Sequence, residues 1–589
     1  MKKIPYGISN YKELRDLNMY YVDKTKYIEV LEEKDRYQFF IRPRRFGKSL
    51  FLTMMECYYD INEKENFEKY FGELYIGKNK TAEANKYIVL KLNFSAVISD
   101  QGKEKLIESF DMTVVQEINT SIRKYKNILG KEGLPQDKNT ATYALQYIAD
   151  EARIKGYKMI LLVDEYDNFA NNMIKGQDII YKELLHKDGY IRTFYKAIKM
   201  GTETAITKVF VTGVSPIMLD DVTSGANIFT YMSNDEDLNS ILGFTQNEVE
   251  EMVDYYRLAE LVNKEELMDT LKKYCNGYKF NENTKETVYN TDMVLYLIKN
   301  IIQTKRYPKN LIDENVKTDY TRLRNIAENF VGKEEMRQLI EGAEVGPVQI
   351  KERFNLESLY EEQKEEQSQY TNIRSLLYYL GLLTISKQDA NAVMLKVPNY
   401  AISALYWEYM SKMYEIENSA QYDELKEAMK KMRLYADLEH IMEIYSRVIN
   451  RMSNRDLLYY NEATSKGIFI TLVYTDGLYL IESEKSADGG YTDLYIKENV
   501  LYKEHIKYRY MIEFKHIKEK ELKGDTKTES KEAILEKNKD IIERNKDEAK
   551  QQIERYMEEY NIINDSEKEL KKLVVITVGR KYAVWEIVE

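Results

Sequence analysis

Cysteine and histidine are scarce in this chain: 589 residues include two cysteines, Cys57 and Cys275, and four scattered histidines. Neither a disulfide framework nor a zinc cluster can be built from that inventory. Long apolar runs are missing as well. The amino terminus, MKKIPYGISNYKEL, has no apolar signal-peptide core, and no later run approaches the roughly 20 residues that span a bilayer. A cytoplasmic protein without a membrane partner is therefore expected. An excess of positive charge is also lacking, with a net charge of -11 and a pI near 5.4. This excludes a generally basic nucleic-acid coat and leaves room for a local positive groove.

Length and tyrosine are what the chain has in quantity. It is too long for one core, and three or four domains are expected. Its 51 tyrosines read first as a compositional bias of the source genome and second as stacking surfaces for bases.

The organising stretch runs from Gln38 to Tyr59, QFFIRPRRFGKSLFLTMMECYY. Its order is strand, basic turn, Gly-Lys-Ser and amphipathic helix, which is the order of a phosphate-binding loop. In such a loop the backbone N–H groups and the helix N-terminus face the phosphates, the lysine neutralises the β and γ oxygens, and the hydroxyl holds Mg²⁺. Arg45, Phe46, Gly47, Lys48 and Ser49 are the candidate ATP-binding residues, with Ser49 also a metal ligand. Arg42 stands where the general pattern has its first glycine, so the loop entry must turn differently. The alternative is a basic surface turn, or a nucleic-acid patch of Arg42, Arg44 and Arg45.

A second half-site follows. KMILLVDEYDNF, from Lys158, is a short apolar strand ending in Asp164 and Glu165. A carboxylate at that end is placed to support Mg²⁺, and the adjacent glutamate can prepare a water. The plainer alternative is a buried strand meeting an acidic turn.

Along the chain, Ile4 to Ile28 either covers the base of a nucleotide or caps the sheet edge with a helix and a strand. Strands at Tyr87–Phe94 and Lys208–Thr212, and helices at Lys103–Lys126, Thr140–Lys155 and Tyr190–Met200, complete a βαβαβ order. That alternation implies an α/β domain with a parallel sheet. Thr212, ending its strand, either senses the γ-phosphate or caps the next turn. GFTQNEVEEMVDYY carries a capping-box pattern, Thr245 then Glu248, and opens a helical region. SLLYYLGLLTI, VMLKVP and the helix from Ala401 suggest a winged-helix-like module. The expected map is an ATPase domain at 1–243, a helical lid at 244–370, the winged module at 371–400, a helical connector at 401–458 and an α/β domain at 459–589.

In that last part, strands are expected at Gly467–Val473, Leu478–Ile481, Thr492–Ile496, Tyr510–His516 and Leu573–Val578. The run between Lys518 and Lys550 mixes acids and bases and reads as exposed helix or mobile insertion. In MIEFKHIK, Glu513 and Lys515 share one strand face. With Asp493, Glu513 can hold a Mg²⁺ that activates water, while Lys515 orients that water or offsets charge. The same letters also describe an ordinary half-exposed strand.

YGISNYKELRDLNMYYVDKT, IRPRRFGKSL, LLVDEYD, VTGVSPIMLDDVTSG and LGFTQNEV together resemble the bacterial and archaeal AAA-ATPase-like family, in which RPRRFGKS is the usual phosphate loop. The resemblance implies a P-loop fold, a catalytic role for Glu165, and an acidic strand lying one strand away from the loop strand. The C-terminal pattern resembles the PD-(D/E)XK nuclease domain, a restriction-endonuclease-like α/β fold. Its motif falls on Asp493, Glu513 and Lys515, with Glu462 and Gln552 in supporting positions. ADGGYTD lacks the arginine often found ahead of the aspartate in that family.

The expectation is an ATP-hydrolysing protein that gates a Mg²⁺-dependent DNA nuclease in defence against or maintenance of mobile DNA, with a homo-oligomer among its expected forms. Arg44 and Arg45 are candidates for completing a neighbouring copy's ATP site. The alternatives are a nucleotide-controlled switch, or an assembly protein whose C-terminal domain only binds nucleic acid or protein.

Overall fold

The computed structural model describes residues 1–99, 101–168, 178–185, 189–218, 227–318, 339, 343–359, 370–413, 422–451, 460–482, 486–487, 490–491, 494–526, 528–559 and 566–588. The chain divides into two compact units, Met1–Val331 with Gly346–Asn399, and Gly332–Val345 with Tyr400–Glu589. Among the described residues, no helix is long and apolar enough to cross a membrane.

The first unit is built on a five-stranded sheet of β1 (Tyr37–Ile41), β2 (Ile88–Asn93), β3 (Met159–Asp164), β4 (Ile206–Gly213) and β5 (Thr230–Tyr231). The strand order is β2-β3-β4-β1-β5 and every pairing is parallel. Near-continuous apolar runs such as MILLVD, buried along their whole length, suit strands covered on both faces. Helices Lys48–Tyr59, Lys103–Lys124, Ala141–Ile154 and Tyr190–Thr202 supply the crossovers. Phe110, Val114 and Ile118, buried at intervals of four, show how one helix face is turned inward. The sheet places β4 between β1 and β3, so the acidic strand lies one strand from the loop strand.

Between residues 10 and 33 the structure has helices Tyr11–Asp16 and Lys26–Glu33, without the expected strand. Thr245 and Glu248 form a complete capping box on helix Gln246–Tyr255. Helices Lys264–Cys275 and Thr291–Thr304 follow. Helix Thr371–Tyr379 then leads into an antiparallel hairpin of Thr384–Asp389 and Ala392–Lys396.

The second unit holds a mixed sheet of β6 (Tyr479–Glu482), β7 (Leu494–Glu498), β8 (Tyr508–Ile517), β9 (Glu569–Val578) and β10 (Tyr582–Val588). Its order is β10-β9-β8-β7-β6, with β8 and β9 parallel and the other pairs antiparallel.

Two expectations are corrected here. Gly467–Val473 is the middle of helix Glu462–Asp476 and not a strand. All six residues from Ile468 to Val473 are fully buried, so the segment is apolar on every side and its composition hides the helical period. Asn461 caps the start, accepting from Thr464 N, and left-handed Gly477 ends it. The charged run after Lys518, expected as exposed helix or mobile insertion, is helical, in keeping with the first alternative, but not wholly exposed. It contains helices Lys531–Lys537 and Lys539–Glu559, whose Ile534, Ile542, Ala549, Ile553 and Tyr556 pack with Met511, Val574 and Ile576 of the sheet.

Candidate functional site

The turn from β1 to helix Lys48–Tyr59 uses two left-handed residues, Arg45 at φ 67° and Gly47 at φ 94°. A Cβ on Gly47 would meet no atom within 4 Å, so it is the backbone conformation that calls for glycine there. Arg42 is buried and is not part of a surface basic patch. Its guanidinium donates to the carbonyls of Ile41, Ser233 and Leu238 at 3.0, 2.7 and 2.8 Å. It also lies 4.4 Å from the Phe40 ring and 4.1 Å from that of Phe280. Burial lowers its pKa to about 10. Phe46 is buried edge-on against Tyr278 and Phe280, which anchors the loop from below.

Lys48 Nζ donates to the carbonyls of Arg42 and Pro43 at 3.0 and 2.9 Å. Burial pushes its pKa down to about 8, against the opposing pull of Asp164 and Glu165. Ser49 Oγ donates to Asp164 Oδ2 at 2.6 Å, joining residues 115 positions apart. A hydroxyl and a carboxylate meeting at the carboxyl end of a parallel sheet are the oxygen donors a hard divalent cation takes, so the residues present fit Mg²⁺. Glu165 has φ 50°, and its carboxyl pKa is raised by burial and then by the Asp164 charge. Asp167 accepts from the backbone N–H groups of Val214 and Ser215. A Cβ on Gly213 would lie 2.3 Å from the Asp167 carboxylate, so glycine is required by this close approach. Thr212 is 1% exposed, and its hydroxyl has no hydrogen-bond partner among the described residues.

Some of these residues line a cavity of about 510 Å³, in the size range of small-molecule sites. Arg45, Phe46, Gly47, Lys48, Ser49 and Glu165 line it, whereas Thr212 and Asp164 do not. Its lining is mixed, and Ile8, Val22, Ile241, Phe244 and Leu295 contribute apolar wall. The segment before β1 thus forms part of the cavity wall. Lys24 secures it with a buried ammonium that donates to Ser240 O at 3.0 Å and to Glu248 of the capping box at 2.7 Å.

In the second unit, Glu513 is buried in the centre of β8 and accepts from Lys515 Nζ at 2.9 Å. Asp493 lies outside the described residues; Leu494, which opens β7, pairs with Ile512. Among the described residues no group of three or more His, Cys, Asp or Glu side chains could hold a metal. Glu462 opens helix Glu462–Asp476 and Gln552 lies in helix Lys539–Glu559, and both helices pack on β8. Burial lowers the pKa of the neighbouring His516 to about 4, and its Nδ1 lies 3.0 Å from Thr577 Oγ1.

Residues 5–223 match the family model for a predicted AAA-ATPase, and residues 460–586 match that of the PD-(D/E)XK nuclease superfamily. The chain joins an AAA-ATPase-like domain to a PD-(D/E)XK nuclease-superfamily domain. An uncharacterized protein in the vnfD 5' region of Azotobacter chroococcum is 26% identical over 298 residues, 50% of this chain and 52% of that protein. The chain therefore spans about half the length of that relative. Among solved structures, a Walker-type ATPase of Pyrococcus abyssi aligns at 12% identity and TM-score 0.33, over 65% of this chain and 94% of its own. Cdc6p from Pyrobaculum aerophilum aligns at 10% identity and TM-score 0.27, over 66% of this chain and 93% of its own.

The AAA-ATPase-like domain has loop contacts that no local pattern announces. Arg42 anchors its loop to residues 191 and 196 positions away. Arg45 pairs with Asp292 of its own chain at 2.9 Å, and both line the cavity. Neither contact leaves a trace in spacing or composition, because each joins elements far apart in sequence.

Proposed function

We propose that the chain hydrolyses ATP in its N-terminal domain, residues 1–243, and thereby gates a Mg²⁺-dependent DNA nuclease at residues 459–589. The observation that carries the ATPase half is the Ser49–Asp164 hydrogen bond of 2.6 Å, made by a serine that lines the cavity. The phosphates lie on the N–H groups of the loop and of the first turn of helix Lys48–Tyr59. Lys48 leaves the carbonyls of Arg42 and Pro43 for the β and γ oxygens. Ser49 and Asp164 would hold Mg²⁺, which when bound would supply positive charge to the phosphate oxygens. Glu165, its basicity raised by burial, accepts a proton from water as the water oxygen bonds to the γ-phosphorus and the β–γ bridging bond breaks. The apolar side chains in the cavity lining suit the base.

For the nuclease half, the supporting observation is the buried Glu513 carboxylate held beside Lys515 on one strand face. Glu513 and Asp493 are the proposed metal ligands, and Lys515 orients the attacking water. Defence against mobile DNA, or its maintenance, is the proposed setting, and a homo-oligomer the proposed working form.

Two assays on the full chain separate the halves. Lys48→Ala is expected to lose ATP hydrolysis by about 100-fold or more, and Glu513→Ala to lose Mg²⁺-dependent cutting while still hydrolysing ATP. If the parent hydrolyses ATP yet cuts no DNA, linear, single-stranded or supercoiled, the nuclease half is wrong and the C-terminal domain binds its partner only.

A further inference from the structure

We infer that Asp292 is a positioning residue for the nucleotide, holding the phosphate loop in shape through its ion pair with Arg45. The inference rests on the ATP-binding reading and concerns the same cavity.

It starts from the missing glycine. With Arg42 buried at the loop entry, the left-handed turns of the loop fall on Gly47 and on Arg45. Gly47 adopts its conformation without cost, whereas a long side chain at φ 67° is disfavoured and must be held from outside. The hold comes from the start of helix Thr291–Thr304. Asp292 Oδ2 accepts from Arg45 Nη1 at 2.9 Å in a partly buried pair. Thr291 Oγ1 donates to Arg45 O at 2.7 Å, Asp292 N to the same carbonyl at 3.4 Å, and Asn290 Nδ2 to Arg44 O at 3.5 Å. From a third segment, Gly243 N donates to Phe46 O at 3.3 Å. Three successive loop carbonyls, those of Arg44, Arg45 and Phe46, are thus tied to donors from outside the loop. Asn290 is itself fixed, being fully buried with its Oδ1 capping Met293 N.

The test is a double-mutant cycle read by equilibrium binding of a fluorescent ATP analogue to the full chain, with ATP turnover and thermal melting alongside. Asp292→Ala is expected to weaken binding about tenfold, the factor carried by roughly 1.4 kcal/mol, with kcat changed less than about twofold. Asp292→Glu should restore most of the affinity. In an Arg45→Gly background the loop takes its left-handed turn unaided, so adding Asp292→Ala should cost less than about twofold. An equal loss in both backgrounds overturns the inference, as does undiminished binding by Asp292→Ala. A parent that binds no nucleotide overturns the ATP reading itself. That outcome is told apart by the parent and Lys48→Ala giving the same null signal.

Discussion

The ammonium of Lys48 rests on two carbonyls of its own loop, and burial holds its pKa near 8 against a usual 10.5. A lysine with a depressed folded-state pKa costs stability while it is charged. That cost is full below pH 8 and fades as pH rises toward the unfolded value, because there the unfolded chain binds the proton and the folded one does not. Lys48→Met should therefore melt a few degrees higher than the parent at pH 7 without nucleotide, and the gain should shrink between pH 8 and 10.5. Melting curves across that range check the sign. Thr212 offers a second test. Its hydroxyl is buried and unsatisfied at the carboxyl end of β4, the kind of stability cost that persists at functional positions. Thr212→Val should stabilise the fold by about 1 kcal/mol and slow ATP turnover about tenfold. Stabilisation with unchanged turnover would reduce Thr212 to packing.

At the scale of elements, what was legible in the sequence followed from local physics. Strand, turn and helix around Gly47-Lys48-Ser49 are adjacent in the chain, and the capping box of Thr245 and Glu248 spans a single helical turn. Where tertiary surroundings decide, the letters mislead. GIFITLV is rich in β-branched and aromatic residues, yet it is helical because β6, β8 and neighbouring helices cover it on all sides. The run around helix Lys539–Glu559 looks like solvated charge because its acids and bases outnumber the apolar stripe that meets the sheet. That stripe gives a prediction. Ile553, 1% exposed, lies among Met511, Val574 and Ile576, so Ile553→Asp buries a charge without a partner and should cost 3 kcal/mol or more. DNA cleavage should be lost and the C-terminal unit should become protease-sensitive, while ATP hydrolysis persists.

For the whole molecule, two motif sets 300 or so residues apart pointed to two chemistries, and two compact units carry them. The pairs that complete the first site, Ser49 with Asp164 and Arg45 with Asp292, could be suspected from motifs only in the first case. The central claim is that nucleotide turnover in one unit controls cutting by the other. The most direct test is cleavage of supercoiled DNA with Mg²⁺, with and without ATP, by the parent, Lys48→Ala and Glu513→Ala. The account predicts that ATP changes the parent's cleavage rate, that Lys48→Ala is unresponsive to ATP, and that Glu513→Ala does not cut. Cleavage by the parent at one rate with or without ATP, matched by Lys48→Ala, would contradict it.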